Sequence, residues 1–166
     1  MIEYRTGIGQ DSHRFLDKHA PLGGPKTLVL GGLYFHGMEG LEGNSDADVV
    51  MHALTNAISG ISGVNILGAV ADEMCKVHSI YESWKYVEAA METLDGFELV
   101  HLSFSIECKR PVLWSFIDEM KRSIADTARL PVNCVGITVT SGEGLTDFGR
   151  GLGIQVLCIA TARRGT

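Results

Sequence analysis

Two short segments of the chain bring carboxylates and imidazoles together at spacings that suit a metal ion. Asp11 and His13 are two residues apart, so in an extended segment their side chains point to the same face. Asp48 and His52 are four residues apart and would lie one above the other on a helix. Carboxylates and imidazoles are common ligands of zinc. Asp11, His13 and His52 are therefore candidate zinc ligands, and Asp48 is a candidate to orient the His52 ring.

Each of these residues also has a purely structural interpretation. Asp11 could cap a surface turn, with His13 beside it. His52 lies in a stretch from Val49 to Ala71 that contains no Asp, Glu, Lys or Arg. It could be a core histidine whose hydrogen bond is satisfied by Asp48. The two segments alone leave both interpretations open.

A third segment, from residue 138 to residue 153, has the composition of a phosphate-binding loop. It combines hydroxyls, Glu143, Arg150 and five glycines. Glycine lets backbone N–H groups approach an anion closely, Arg150 adds donors, and Glu143 could hold a hard cation that bridges phosphates. A long flexible hairpin loop is the alternative. Twelve of the 20 glycines lie beside the three segments, including Gly7 and Gly9, and we interpret them as backbone brought close to phosphates and metals.

The composition predicts one domain over residues 1–166 that binds no nucleic acid. The chain has 14 Lys and Arg against 20 Asp and Glu, a formal net charge of −6, whereas nucleic-acid binders usually carry a basic face. We expect no membrane partner and a cytoplasmic location, because the N-terminal residues form no apolar leader and the uncharged stretch is too polar to span a bilayer. The four cysteines form no Cys-x-x-Cys pair and suit a reducing compartment, with Cys134 and Cys158 expected to be buried.

The hydrophobic pattern predicts an α+β fold, a mixed sheet with helices packed on one face. Strand-like and helix-like periods occur in the order β-β-β-α-α-β-α-β-β, without the strict alternation of a wound α/β fold. Ser45, three residues before Asp48, is the expected N-cap of the first helix, and Gly23 to Pro25 is an expected loop. The predicted strands are Arg5–Ile8, Thr27–Leu30, Leu33–Phe35, Phe97–Cys108, Val135–Thr140 and Ile154–Thr161, and the predicted helices cover about 49–61, 81–94 and 113–124.

Taken together and in this order, the motifs resemble those of one family. It is the 2-C-methyl-D-erythritol 2,4-cyclodiphosphate synthase family of the non-mevalonate isoprenoid pathway. The likeness covers nearly the whole chain, from about residue 5 to residue 161. The matching text is Gly-Gln-Asp-Ser-His-Arg-Phe at 9–15, Leu-Gly-Gly at 30–32, Asn-Ser-Asp-Ala-Asp at 44–48 with His52, Thr-Ser-Gly-Glu at 140–143 and Gly-Arg-Gly at 149–151.

The resemblance implies a homotrimer of α+β subunits with active sites between subunits. It implies Zn²⁺ on Asp11, His13 and His52, and Mg²⁺ or Mn²⁺ on the substrate diphosphate at Glu143. The small-molecule substrate is a cytidine diphosphate derivative, 4-diphosphocytidyl-2-C-methyl-D-erythritol 2-phosphate, which is cyclised with release of CMP. Asn44 and Ser141 stand at catalytic positions. The implied substrate contacts are Asp11, Ser12, His13, Asn44, Ser45, Thr140, Ser141, Gly142, Glu143 and Arg150.

Four departures make this chain a divergent member. Asn44 replaces the usual His, and Ser141 replaces the usual Thr. Residues 66–68 read Ile-Leu-Gly where many members have Asp-Ile-Gly, and residues 108–112 replace an Ala-Pro-Lys loop that holds cytosine. One alternative is therefore a trimeric metal-containing protein that binds a nucleotide or isoprenoid diphosphate but has lost cyclisation, and a weaker alternative is a phosphohydrolase. The presence of Glu143 favours a catalytic protein, because a purely structural zinc site would not need this carboxylate.

Overall fold

A computed structural model describes residues 1–17 and 26–165 and confirms the predicted α+β architecture. The main sheet has the strand order β1-β6-β4-β5 and is mixed, because β4 and β5 run parallel while the other neighbours are antiparallel. Strands β2 and β3 form a separate hairpin. The elements are β1 Ile2–Arg14, β2 Thr27–Leu30, β3 Leu33–Glu39, α1 Val49–Ser62, α2 Ala69–Lys76, α3 Trp84–Glu92, β4 Glu98–Glu107, α4 Ile117–Ala128, β5 Val135–Thr140 and β6 Gly153–Gly165.

Helix α1 lies directly on β1, and two glycines make this approach possible. A Cβ atom on Gly7 would lie 2.1 Å from the carbonyl oxygen of Ala57, and one on Gly9 would lie 2.0 Å from that of Ala53. No side chain of any size fits between the two backbones. The interpretation of Gly7 and Gly9 as backbone brought close to a ligand is therefore wrong, since their role is helix packing.

The opposite face of the main sheet is open in the single chain. Strand β1 alternates, so Gly7 and Gly9 face α1 while Ile8 faces away and is 68% exposed. On β6, the buried residues alternate with Leu157 and Ile159, which are 38% and 45% exposed. Ile8 lies opposite Ile159 in the register, so these side chains form one apolar centre on the open face.

The elements differ from the predicted ones where periodicity is short or interrupted. β1 extends from Ile2 to Arg14, beyond the predicted limits of Arg5 and Ile8, so the extended segment that holds Asp11 and His13 is part of the strand itself. Helix α2 was not predicted, because it is only eight residues long and buries only Ala71 and Cys75, too few positions for a recognisable period. Short 3₁₀ turns at Trp114–Phe116 and Val132–Cys134 flank α4. The loop predicted at residues 23–25 lies outside the described residues.

The N-terminus of α1 is capped by Asp48, so the prediction of Ser45 as the N-cap is wrong. The Asp48 carboxylate accepts hydrogen bonds from the backbone N–H groups of Val50 and Met51, at 3.1 and 3.2 Å. It also accepts from Gly31 and Gly32 in the turn of the β2–β3 hairpin, at 2.9 and 2.7 Å. Asp48 therefore fastens the hairpin to the helix.

Of the two cysteines predicted to be buried, only one is buried. All four cysteines are free, and Cys158 is buried as predicted. Cys134 is only half-buried, because it ends a 3₁₀ turn before β5 instead of lying within the strand. Within the described part of the chain, no helix combines the length and apolar character needed to cross a membrane.

Candidate metal and phosphate site

The three predicted zinc ligands meet where α1 crosses β1. Asp11 and His13 follow Gly7 and Gly9 on the helix-facing side of the strand, and His52 stands on the first turns of α1. Asp11 Oδ2 lies 2.9 Å from His13 Nε2 and 2.9 Å from His52 Nδ1, and the two nitrogens are 3.2 Å apart. In a tetrahedral zinc site with bonds of about 2.0–2.1 Å, neighbouring ligand atoms are about 3.3 Å apart. The triangle is thus close to the size that zinc requires.

The electrostatics of the triad also suit a cation. Burial alone would raise the pKa of Asp11, but hydrogen bonds and charge from His13 and His52 hold it well below its usual value. Burial opposes the charged form of His13, but its contacts with Asp11 and with the backbone carbonyl of Glu42 outweigh this and raise the pKa of His13. A carboxylate and two imidazole nitrogens converge on one point, which is the donor set expected for zinc.

The outer side of the His52 ring contacts hydroxyl groups, not Asp48. His52 Nε2 lies 2.8 Å from Ser83 Oγ and 3.3 Å from Ser45 Oγ. The hypothesis that Asp48 orients this ring is therefore wrong, because four backbone N–H groups occupy its carboxylate. Ser83 was missed in the sequence because it lies 31 residues after His52, on a different helix, with no spacing that relates the two.

A pocket opens beside the triad and contains two more of the predicted residues, Asn44 and Ser45. Asp72 also lines the pocket, and its ion pair with Lys76 lowers its pKa. The other walls come from α2 and the segment before it and from α3, with Leu67, Gly68, Cys75 and Tyr86 among the lining residues. The Ile-Leu-Gly segment thus borders the pocket with an apolar side chain.

Ser12 has a different position from its neighbours. It lies between Asp11 and His13 on β1, so its side chain points to the opposite face of the sheet and is exposed. A contact between Ser12 and a ligand in this pocket would have to use its backbone. Its assignment as a substrate-binding residue remains a prediction.

The glycine-rich loop forms a second group of predicted residues. Thr140, Ser141, Glu143 and Arg150 are exposed, and none of them lines the triad pocket. The loop is held by its own contacts: Ser141 Oγ donates to Glu143 Oε1 at 3.3 Å, and Gly142 N donates to Thr140 Oγ1 at 3.2 Å. Glu143 has a positive φ of 51°, and its side chain is exposed to solvent.

Arg150 is also held within this loop. Its guanidinium lies 2.6 Å from Asp147 Oδ1, and at 3.5 Å it contacts the carbonyl of Gly144. Thr146 donates to the Glu107 carboxylate at the end of β4, which anchors the loop to the sheet. The described chain therefore contains a metal triad and a separate hydroxyl-, glutamate- and arginine-bearing loop.

Comparison with known proteins places both groups in one family. Residues 4–163 match the model of the YgbB family, a range that includes the triad and the loop. The chain belongs to the YgbB family. Its relatives include a Chlamydia trachomatis serovar L2 protein named 2-C-methyl-D-erythritol 2,4-cyclodiphosphate synthase, 45% identical over 95% of this chain and 87% of the relative. A Chlamydia muridarum protein of the same name is 46% identical over the same shares of the two chains.

Solved structures support the YgbB fold over the full length. The bifunctional IspDF from Campylobacter jejuni aligns with a TM-score of 0.86 at 29% identity over 99% of this chain, which spans 43% of that protein. A 2C-methyl-D-erythritol-2,4-cyclodiphosphate synthase described as a CDP-bound form aligns with a TM-score of 0.80 at 27% identity, over 95% of this chain and 99% of that one. The resemblance stated from the motifs is thus confirmed.

Proposed function

We propose that this YgbB-family chain is a 2-C-methyl-D-erythritol 2,4-cyclodiphosphate synthase. The substrate's own 2-phosphate oxygen attacks the β-phosphorus of the diphosphocytidyl group, the bond from that phosphorus to the CMP oxygen breaks, and CMP leaves. The observation that carries the proposal is the Asp11, His13 and His52 triangle, in a chain 45% identical to relatives of that name. The glycine-rich loop at residues 138–153 would supply the groups that bind the phosphates of the substrate.

The residues of the chain divide the work of this reaction. Asp11, His13 and His52 would hold Zn²⁺, and Glu143 would hold Mg²⁺ or Mn²⁺ on the diphosphate. When bound, the two cations offset the repulsion between the phosphates and stabilise charge on the leaving group. The protein needs no nucleophile of its own, so its main task is to fold the substrate into reacting geometry. Such intramolecular positioning contributes about 7–11 kcal/mol.

The remaining predicted residues orient the substrate in this proposal. The hydroxyls of Thr140 and Ser141, the backbone of Gly142 and the Arg150 guanidinium would contact its phosphates, and release of Arg150 from Asp147 would make its donors available. Asn44 can donate a hydrogen bond to a reacting phosphate but carries no charge.

We infer that the active enzyme is a homotrimer with each site between two subunits. Two observations support this. The triad pocket is lined by no residue of the 138–153 loop, which favours a site that takes its loop from a second copy of the chain. The open sheet face also carries an exposed apolar centre at Ile8, Leu157 and Ile159, which a neighbouring subunit would cover. We further place the enzyme in the cytoplasm, where its four free cysteines stay reduced.

Product analysis tests the activity. The purified protein is incubated with the diphosphocytidyl substrate and Mg²⁺, and CMP and the second product are identified by mass spectrometry. The proposal predicts CMP and cyclic diphosphate in equal amounts, both abolished by chelation. Substrate binding without turnover would instead establish a nucleotide- or diphosphate-binding protein. An acyclic 2,4-bisphosphate, formed when water attacks the β-phosphorus and CMP leaves, would establish a phosphohydrolase.

Subunit complementation tests the assembly. His13→Ala and Glu143→Gln chains are each expected to be inactive alone. In randomly mixed trimers, a site between subunits combines an intact triad with an intact Glu143 in about one quarter of cases, so about a quarter of wild-type activity returns. If each site lay within one chain, the mixture would stay inactive.

A further inference from the structure

The Ser83 hydroxyl connects the metal triad to a carboxylate that has no place in the proposed reaction. Ser83 is fully buried at the N-terminus of α3. Its Oγ donates to Asp46 Oδ1 and lies 2.8 Å from His52 Nε2. Asp46 also accepts from the backbone N–H groups of Ser83 at 3.0 Å and of Asp48 at 3.1 Å. Three donors thus hold this carboxylate in one orientation.

The direction of the hydrogen bonds determines which nitrogen of His52 carries the proton. A hydroxyl has one proton, and Ser83 gives it to the Asp46 carboxylate, which can only accept. The hydroxyl oxygen can then only accept from His52, so Nε2 must carry a hydrogen. In the neutral ring the Nδ1 lone pair then faces Asp11 Oδ2 and His13 Nε2, at 2.9 and 3.2 Å, an arrangement that a metal ion between the three atoms would stabilise.

We propose that Asp46 and Ser83 form a positioning relay that holds His52 as the Nε2–H tautomer, with Nδ1 free to bind the metal. The proposal rests on the metal site of the proposed function and adds two residues to it. Neither residue belongs to the triad or lines its pocket, so both would act through His52. Hydrogen bonds to the outer nitrogen of a metal-bound histidine fix its ring and its tautomer, and their loss weakens metal binding 10- to 100-fold.

Ser45 is the competing partner for the same nitrogen, and the geometry favours Ser83. Ser45 Oγ is farther from His52 Nε2, at 3.3 Å, and it already accepts from the backbone N–H of Ala47 at 3.1 Å. Ser45 also contacts no carboxylate that would fix the direction of its own proton among the hydrogen bonds of the described chain. Ser83 is both closer and oriented by Asp46.

Zinc affinity measured by competition with a chromophoric chelator is the first test. Ser83→Ala and the isosteric Asp46→Asn are expected to weaken zinc binding 10- to 100-fold, and Ser83→Thr, which keeps the hydroxyl, to recover most of it. Ser59→Ala is the matched control. It removes a buried serine hydroxyl from α1 that has no hydrogen-bond partner among the described residues, and it should leave the affinity unchanged. An equal loss in Ser59→Ala and Ser83→Ala would overturn the proposal.

The tautomer of His52 in metal-free protein is the second test, and a merely structural role of Ser83 would not move it. In metal-free protein Asp11 competes by accepting from Nδ1–H, so long-range proton–nitrogen NMR correlations in mildly alkaline buffer should show a larger Nε2–H fraction in wild type than in Asp46→Asn. An unchanged tautomer in that variant would overturn the relay. Because this measurement uses no metal, it separates the two ideas: wild-type protein that binds no zinc refutes the metal site, whereas the spectra still decide the relay.

Discussion

Replacing Gly9 by alanine should disrupt both the fold and the metal site, because the strand and helix backbones touch there. The new Cβ would lie 2.0 Å from the Ala53 carbonyl oxygen and 2.4 Å from the Ala57 nitrogen. Reaching an ordinary contact of 3.4 Å requires α1 to withdraw by about 1.4 Å. Overpacking of a core costs about 1–3 kcal/mol when side chains can adjust, and here only backbone can move. We therefore expect a loss of about 3 kcal/mol or more in the free energy of unfolding.

The same displacement would take His52 away from β1. A withdrawal of that size would stretch the 2.9 Å separation of His52 Nδ1 and Asp11 Oδ2 to about 4 Å, too wide for one tetrahedral zinc ion. Urea unfolding measures the first effect, and chelator competition measures the second, with at least a tenfold loss of zinc affinity expected. The control is Gly136→Ala on β5, where the nearest atom to the new Cβ, Leu102 O, is 3.8 Å away. It should change stability by less than about 1 kcal/mol. Wild-type stability and zinc affinity in Gly9→Ala would refute this reasoning.

Three further predictions concern the cap, the triad and the loop. Asp48→Ala leaves four backbone N–H groups without the carboxylate that accepts from them. It should therefore lower the free energy of unfolding by about 3 kcal/mol. A loss below about 1 kcal/mol in urea unfolding would contradict this role of Asp48. Zinc must displace a proton from His13, and because Asp11 raises the pKa of His13, affinity should begin to fall at a higher pH than for an ordinary histidine as the solution is acidified. If His13 were no ligand, chelator competition would show no fall in affinity above the pH range in which an ordinary histidine titrates. Glu143→Gln should reduce turnover by at least about 100-fold, because the variant loses the carboxylate proposed to hold the second cation. The trimer mass and the melting temperature should not change, because Glu143 is exposed. Unchanged turnover would remove Glu143 from the mechanism.

The sequence predicted the α+β architecture and the triad because these depend on local patterns. The spacing of Asp11 and His13 is set by strand geometry, and the period of α1 places His52 near its first turn. Motif order then supplied the family, which the YgbB match and the relatives confirm.

The contacts that position the site could not be predicted in this way, because they join residues far apart in the chain. Asp48 was expected to serve His52 four residues later, but it binds backbone groups of the distant β2–β3 turn. Ser83 approaches His52 only because α3 packs beside α1. Gly9 looked like a ligand-binding glycine, and only the crossing of helix and strand shows its packing role.

Whether oxygen from water enters the products during turnover tests directly which group attacks the β-phosphorus. The reaction is run with the diphosphocytidyl substrate and Mg²⁺ in water enriched in oxygen-18, and the products are weighed by mass spectrometry. Attack by the substrate's own 2-phosphate predicts CMP and cyclic diphosphate that both lack solvent oxygen. An acyclic 2,4-bisphosphate that carries one oxygen-18 atom, or a CMP that carries one, would show attack by water and would contradict the proposed reaction.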